Sequence, residues 1–316
     1  MSLAFVFPGQ GSQAVGMGRA LAEAFPVARH TFQEVDDALD QALSRLMFEG
    51  PEEDLRLTAN AQPALMAVSM AVARVLESEG KLRLADKAAY VAGHSLGEYS
   101  ALAAAGSLQV ADAARLLRRR GQAMQEAVPV GEGAMAALLG LDLETARAVA
   151  AEAAAGGKGE VCDAANDNAP GQVVISGHTA AVERACELAK AKGAKRAVLL
   201  PVSAPFHCSL MAPAADVMAE ALAAVAVAAP AVPLVANVTA SHVSDPDEIR
   251  RKLVEQVTGM VRWRESVAYM AAQGVETVVE LGAGKVLTGL NKRIERALAA
   301  ESAETPQEIE SVLERL

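Results

Sequence analysis

Gly93-His94-Ser95-Leu96-Gly97 is a G-x-S-x-G match, placed where the apolar run Ala88 to Ala92 gives way to an alanine-rich helical stretch from Glu98 to about Ala105. A serine on a sharp strand-to-helix turn has its hydroxyl lifted clear of the backbone, and flanking glycines remove side chains that would clash in so tight a turn. The helix that follows points its positive end at the site. A chance glycine-rich turn is the alternative, and agreement of both flanks with the motif argues against it. Ser95 is therefore the candidate nucleophile. A serine hydroxyl needs a base within hydrogen-bond reach, and the chain has five histidines. His30 lies on an early helix, His178 in the middle of the chain and His242 in a polar turn, while the side chain of His94 should diverge from its neighbour. His207 follows Val198–Val202, read as a strand, and Ser203-Ala204-Pro205-Phe206. It is expected in a loop at the carboxyl edge of the sheet, beside Ser95. The rival reading is a histidine merely packed against Phe206. Cys208 has no elbow or helix start to present its thiol.

Acyl chemistry at a serine also needs donors for the developing oxyanion, usually the amide after the nucleophile and one from an early strand loop. Leu96 is the first, and Gln10, within Gly9-Gln10-Gly11, is the candidate for the second. Gly9, Gly11 and Ala14 also satisfy G-x-G-x-x-A. A dinucleotide site, however, requires a second strand ending in an acidic residue, and Asp36 and Asp37 fall inside a helical stretch instead. In the helix read over Ala111 to Ala127, Ala113, Leu116, Leu117 and Met124 form one apolar face, and Arg120 falls on it while Arg118 and Arg119 point elsewhere. A guanidinium directed inward demands a partner. Either it makes a structural salt bridge, or it is a fork that binds a ligand carboxylate and selects a dicarboxylic acyl group.

The elements that must position these residues read as α/β. Leu3 to Phe7 is a buried strand running into Pro8-Gly9-Gln10-Gly11, and residues 31–46 and 61–79 carry helical spacing. Strands alternating with helices predict a parallel sheet covered on both faces, with its crevice at the carboxyl ends of the strands. From Ala134 to Leu200 the order changes to βαββαβ, over Ala134–Leu139, Leu143–Ala155, Val161–Ala165, Val173–Ser176, Ala180–Lys192 and Lys195–Leu200, with Asn166–Gly171 as the hairpin turn. We therefore expect an α/β-hydrolase-like catalytic domain over residues 1–128 and 201–316, with a ferredoxin-like subdomain inserted at 129–200. A strand at Leu234–Val238, a helix from Asp247 to Val257 and the strand Thr277–Leu281 complete the large domain, and Thr305 with Glu308 caps the last helix. With 52% hydrophobic but only 3% aromatic residues, the core must be built from small aliphatics. A net charge of −10 argues against nucleic acid or an anionic membrane as partner. Neither a signal segment nor a spanning run is legible. Cys162, Cys186 and Cys208 have no metal-ligand spacing. A soluble, cytoplasmic, monomeric protein is expected.

Phe7-Pro8-Gly9-Gln10-Gly11-Ser12-Gln13, Gly93 through Tyr99, Arg120-Gly121, Ala204-Pro205-Phe206-His207 and Gly282-Ala283-Gly284-Lys285 together resemble the malonyl-CoA:acyl carrier protein transacylase family, in order and over nearly the whole chain. The resemblance implies Ser95 as nucleophile, His207 as base, the amides of Gln10 and Leu96 as oxyanion hole and Arg120 as carboxylate-binding arginine. It also implies that the histidine is oriented by the main-chain carbonyl of Gln256 rather than by an acid. Malonyl-CoA and acyl carrier protein are the partners implied, with no cofactor beyond the coenzyme A thioester that is itself substrate. Leu96 after the serine and Phe206 before the histidine are similar to malonyl-specific acyltransferase domains of polyketide synthases. Ala283 departs from the proline of many relatives. An acidic carrier would need a basic patch, for which Lys190, Lys192, Lys195 and Arg196 are candidates, their ordinary reading being a solvated helix end. Polyketide rather than fatty-acid assembly, a Ser-His thioesterase and a non-catalytic acyl-CoA scaffold are the alternatives.

Overall fold

A computed structural model describes residues 2–315. The larger sheet has the order β10 (Ala299–Ala303), β9 (Thr277–Leu281), β1 (Leu3–Phe7), β2 (Ala88–Gly93), β7 (Leu234–Ala236), β8 (Ser241–Val243). All its pairings are parallel except β7 with β8. β1 and β9 are buried at every position, as central parallel strands covered on both faces must be. The helix Thr58–Gly80 is buried almost continuously from Ala61 to Leu76. Its alanines let neighbouring helices approach closely, which is how so aromatic-poor a chain fills a core. At Gly121 a Cβ would stand 2.6 Å from the Cα of Ala59, so the glycine of Arg120-Gly121 lets the helix Val110–Glu126 seat against the start of that buried helix.

The second sheet has the order β4 (Cys162–Ala169), β5 (Gln172–His178), β3 (Gly133–Leu139), β6 (Arg196–Leu199), with every pairing antiparallel. With the helices Leu143–Ala155 and Thr179–Ala191 this is the expected βαββαβ ferredoxin-like arrangement. An apolar cluster of its own, including Leu138, Val149, Ile175 and Val182, lies beneath it.

Four local expectations are corrected. The helical stretch at 31–46 is two helices, Pro26–Leu39 and Leu43–Glu49. Asp40 turns left-handed between them, at φ 48°, and Asp36 accepts the Ser44 amide at 2.8 Å. The hairpin turn at Asn166–Gly171 shrinks to Pro170-Gly171, because β4 continues to Ala169 with two register shifts. Its turn-forming residues are spent on the large domain instead. The Asp167 amide donates to the Val261 carbonyl at 2.9 Å, and the Asp167 carboxylate takes Arg264. His242 stands in β8 rather than in a turn. Finally, the strand before His207 ends at Leu199 and pairs with β3 in the small sheet, so the carboxyl edge of the parallel sheet is not what delivers that histidine.

Candidate active site

Register places the loops. Phe7 of β1 pairs with Gly93 of β2, so the Pro8–Gly11 loop and the serine turn leave the sheet side by side at its carboxyl edge. Asn237, directly after β7, joins them there. The turn is as tight as its glycines suggest. A Cβ on Gly93 would lie 1.9 Å from the carbonyl carbon of Gly97, and one on Gly97 would lie 2.3 Å from the Phe7 oxygen. Ser95 sits at φ 53° and His207 at φ 57°, a region that costs a non-glycine residue about 1–3 kcal/mol and that persists where surrounding contacts over-determine it.

Ser95 Oγ and His207 Nε2 are 2.7 Å apart. His207 Nδ1 faces two carbonyl oxygens, those of Gln256 at 2.9 Å and Gly259 at 3.1 Å. Carbonyls only accept, so Nδ1 carries the proton and Nε2 turns its lone pair to the serine. His207 reaches this place on the linker that returns from the small sheet, where Phe206 and Cys208 are buried on either side of it. Burial, helped by the nearby Arg120 charge, pushes the imidazole down to about 3, so it is neutral at ordinary pH. The Cys208 thiol donates to the Pro205 carbonyl at 3.1 Å and burial pushes it up to about 11, the opposite of an activated thiol.

Backbone amides of the serine turn are nearly all spoken for. His94 donates to Phe7, Ser95 to the side-chain oxygen of Asn237 at 2.8 Å, and Gly97, Glu98 and Tyr99 to carbonyls of the turn itself. Among the described residues the Leu96 amide alone in this turn has no protein acceptor. The Gln10 amide likewise has none among them, and its loop lies against the turn, since a Cβ on Gly9 would stand 2.7 Å from the His94 oxygen.

Arg120 does enter the interior, at 2% exposure, while Arg118 is half-buried and bonded to Asn60, and Arg119 is exposed. It makes no salt bridge among the described residues. Two amide oxygens hold it, Gln62 Oε1 on Nη1 and Gln256 Oε1 on Nη2, each at 2.8 Å. Nη2 also lies 3.2 Å from Ser95 Oγ, and Nε has no acceptor. A buried guanidinium with a free N–H beside a serine hydroxyl can receive an anion.

The other histidines go elsewhere. His94 Nε2 bonds Asn168 Oδ1 of the small domain at 2.8 Å and its ring packs on Trp263. His178 accepts the Val161 amide, His242 meets the Tyr269 hydroxyl, and His30 is exposed. In the basic patch, Lys190 and Lys192 are already paired, with Glu187 and Glu152 at 2.7 Å each, while Lys195 and Arg196 are exposed. Residues that sequence reasoning missed are Gln62, Glu98 and Asn237. Glu98 had a signal: it is a carboxylate in the first turn of a helix otherwise built for burial, and it is 1% exposed. Burial pushes its carboxyl up to about 8, while the Asn237 amide, Gln256 and Arg120 pull it down. Asn237 had a weaker one, as a polar residue closing an apolar strand.

Residues 4–307 match the acyl transferase domain family. The chain is 51% identical over 311 residues to the malonyl CoA-acyl carrier protein transacylase of Escherichia coli (strain K12), covering 98% of each. A solved acyl-carrier-protein-S-malonyltransferase from Bartonella henselae is 57% identical with a TM-score of 0.97, over 100% of this chain and 99% of that one. A malonyl-transacylase solved in complex with its type II PKS acyl-carrier protein is 45% identical with a TM-score of 0.96, over 100% of both chains.

Proposed function

This chain belongs to the acyl transferase family, and from that premise we propose that it transfers the malonyl group of malonyl-CoA to the phosphopantetheine thiol of an acyl carrier protein, supplying the extender unit of fatty acid synthesis, through an ester on Ser95. One observation carries the assignment of roles: a single hydroxyl, Ser95 Oγ, lies between a neutral imidazole at 2.7 Å and a buried guanidinium at 3.2 Å. His207 takes the hydroxyl proton as Oγ attacks the thioester carbonyl, and the amides of Leu96 and Gln10 receive the oxyanion. Collapse breaks the carbon–sulfur bond, and the proton held by His207 leaves with the coenzyme A thiolate. In the second half His207 takes the proton of the carrier thiol, sulfur attacks the malonyl ester, and the proton returns to Ser95 Oγ. The Gln256 carbonyl keeps the imidazole in the tautomer that both halves require. The Nε–Nη2 edge of Arg120 takes the malonyl carboxylate in a two-point fork and fixes the acyl group for attack. Leu96 and Phe206 border the acyl group and favour malonyl over bulkier acids. The balance closes with two thiols and needs no cofactor.

In this reading residues 1–128 and 201–316 form the catalytic body and 129–200 the inserted subdomain, in a cytoplasmic monomer; no helix among the described residues is long and apolar enough to cross a membrane. Intact-protein mass spectrometry tests the reaction. Wild type mixed with malonyl-CoA should gain one malonyl group, lose it on addition of holo carrier protein, and transfer it to the carrier; Ser95→Ala should gain none. An adduct that discharges to free malonate without an acceptor would make the protein a thioesterase, and no adduct at all would leave an acyl-CoA-binding scaffold.

A further inference from the structure

Glu98 takes no part in that reaction, yet among the described residues it is the only acidic side chain in the hydrogen-bonded network under the serine. One of its oxygens accepts the Asn237 amide and the other the side-chain Nε2 of Gln256. With both oxygens facing N–H donors, the site supplies the hydrogen bonds that favour the ionised acid, working against the burial that raises its carboxyl to about 8.

Gln256 in turn touches four of the groups around the site: His207, Arg120, the Ser95 carbonyl and Glu98. Its main-chain oxygen holds His207 Nδ1 at 2.9 Å, its Oε1 holds Arg120 Nη2 at 2.8 Å, and its Nε2 donates to the Ser95 carbonyl at 2.9 Å as well as to Glu98. A side-chain amide has two unlike ends that a half-turn interchanges. Turned over, Gln256 would press its NH2 against the guanidinium and its carbonyl against two acceptors. The Ser95 carbonyl and Glu98, which both accept from Gln256 Nε2, between them oppose that state. Across the guanidinium, Gln62 is oriented differently. Its Nε2 donates to Thr58 Oγ1 at 2.9 Å, and that hydroxyl donates onward to Gln10 Oε1 at 3.0 Å.

We propose that Glu98 is a positioning residue for acyl selectivity: by fixing which end of the Gln256 amide faces Arg120, it holds the guanidinium in register with the malonyl carboxylate. The proposal rests on the reading of Arg120 as carboxylate binder. It makes the glutamate after the serine turn a determinant of which acyl group is transferred, through contact with neither the acyl group nor the reacting atoms.

Glu98→Gln keeps the volume but must present an NH2 to one of two N–H donors, and Gln256 then turns. Steady-state transfer from malonyl-CoA and from acetyl-CoA to holo carrier protein should show the malonyl-to-acetyl ratio of kcat/KM falling about tenfold or more, with acetyl transfer itself retained. Glu98→Asp, which restores a carboxyl head, should recover part of the ratio. Equal losses for both acyl groups, or no loss, would overturn the proposal. Gln256→Leu keeps the backbone carbonyl for His207 and serves if Glu98→Gln does not fold; its ratio should fall the same way, and an unchanged ratio overturns the proposal. In the double variant the two effects should not add, since Glu98 acts through Gln256. Arg120→Met separates the two readings. If it leaves the ratio unmoved, the carboxylate assignment itself has failed; if it lowers the ratio and Glu98→Gln does not, only the role of Glu98 falls.

Discussion

On the proposed reading, replacing Arg120 by alanine should leave a transferase nearly indifferent to whether the acyl group carries a carboxylate. The guanidinium is 2% exposed, so water does not screen its charge, and its Nε waits without an acceptor. A hydrogen bond to a charged partner contributes about 1.5–3 kcal/mol in such surroundings. One lost fork should therefore lower kcat/KM for malonyl-CoA by roughly 10- to 150-fold. Acetyl-CoA has no carboxylate to lose, and its transfer should hold or improve. The substitution also leaves Gln62 Oε1 and Gln256 Oε1 without the donors they have now at 2.8 Å. Each orphaned acceptor costs about 1–3 kcal/mol unless water enters, so the variant should also melt lower, which is a reason to normalise rates to folded protein. The assay is transfer to holo carrier protein from each thioester, with active sites counted by the burst of acyl-enzyme. Equal losses for malonyl and acetyl would refute the reasoning, because a carboxylate-specific contact cannot weaken a substrate without a carboxylate.

Three further outcomes follow from the same geometry. His207 is held down at about 3 against an ordinary value of 6.5, so its neutral, base-competent form persists and kcat/KM for acylation by acetyl-CoA, which does not draw on Glu98 or Arg120, should stay level down to about pH 5; a fall with its midpoint near 6.5 would show an imidazole open to solvent. The linkage has a definite sign: the unfolded chain binds the proton first, so stability from this group is complete above pH 6.5 and is lost as pH falls towards 3, which acid unfolding of wild type against His207→Ala would measure. Gly93→Ala would put a Cβ 1.9 Å from backbone of Gly97, where no side chain can yield, and should cost about 3 kcal/mol or more; a variant with unaltered melting temperature and transfer rate would mean the turn is looser than drawn.

How much of this could be read without a structure depends on how local each signal is. The serine turn is specified by residues 93–97 and their flanks, because only glycine tolerates contacts that close. Arg120 follows from helical period, since one residue in a run of three had to face inward. The small domain follows from the order of its elements. The turn chemistry of Asn166–Gly171 misled, because pairing with Val261, nearly a hundred residues on, outweighs the turn preference of an Asn-Asp-Asn run. His207 was found although its supporting strand belongs to the other sheet. What only the tertiary structure decided is the set of partners around the site: Gln62 on Arg120, Asn237 on the Ser95 amide, Glu98 on Gln256. These join elements 58 to 158 positions apart in the chain. Local periodicity reports which way a side chain points, into the core or out of it. Which distant side chain meets it there depends on how the sheet is ordered and the helices laid across it, and no short window of sequence contains that.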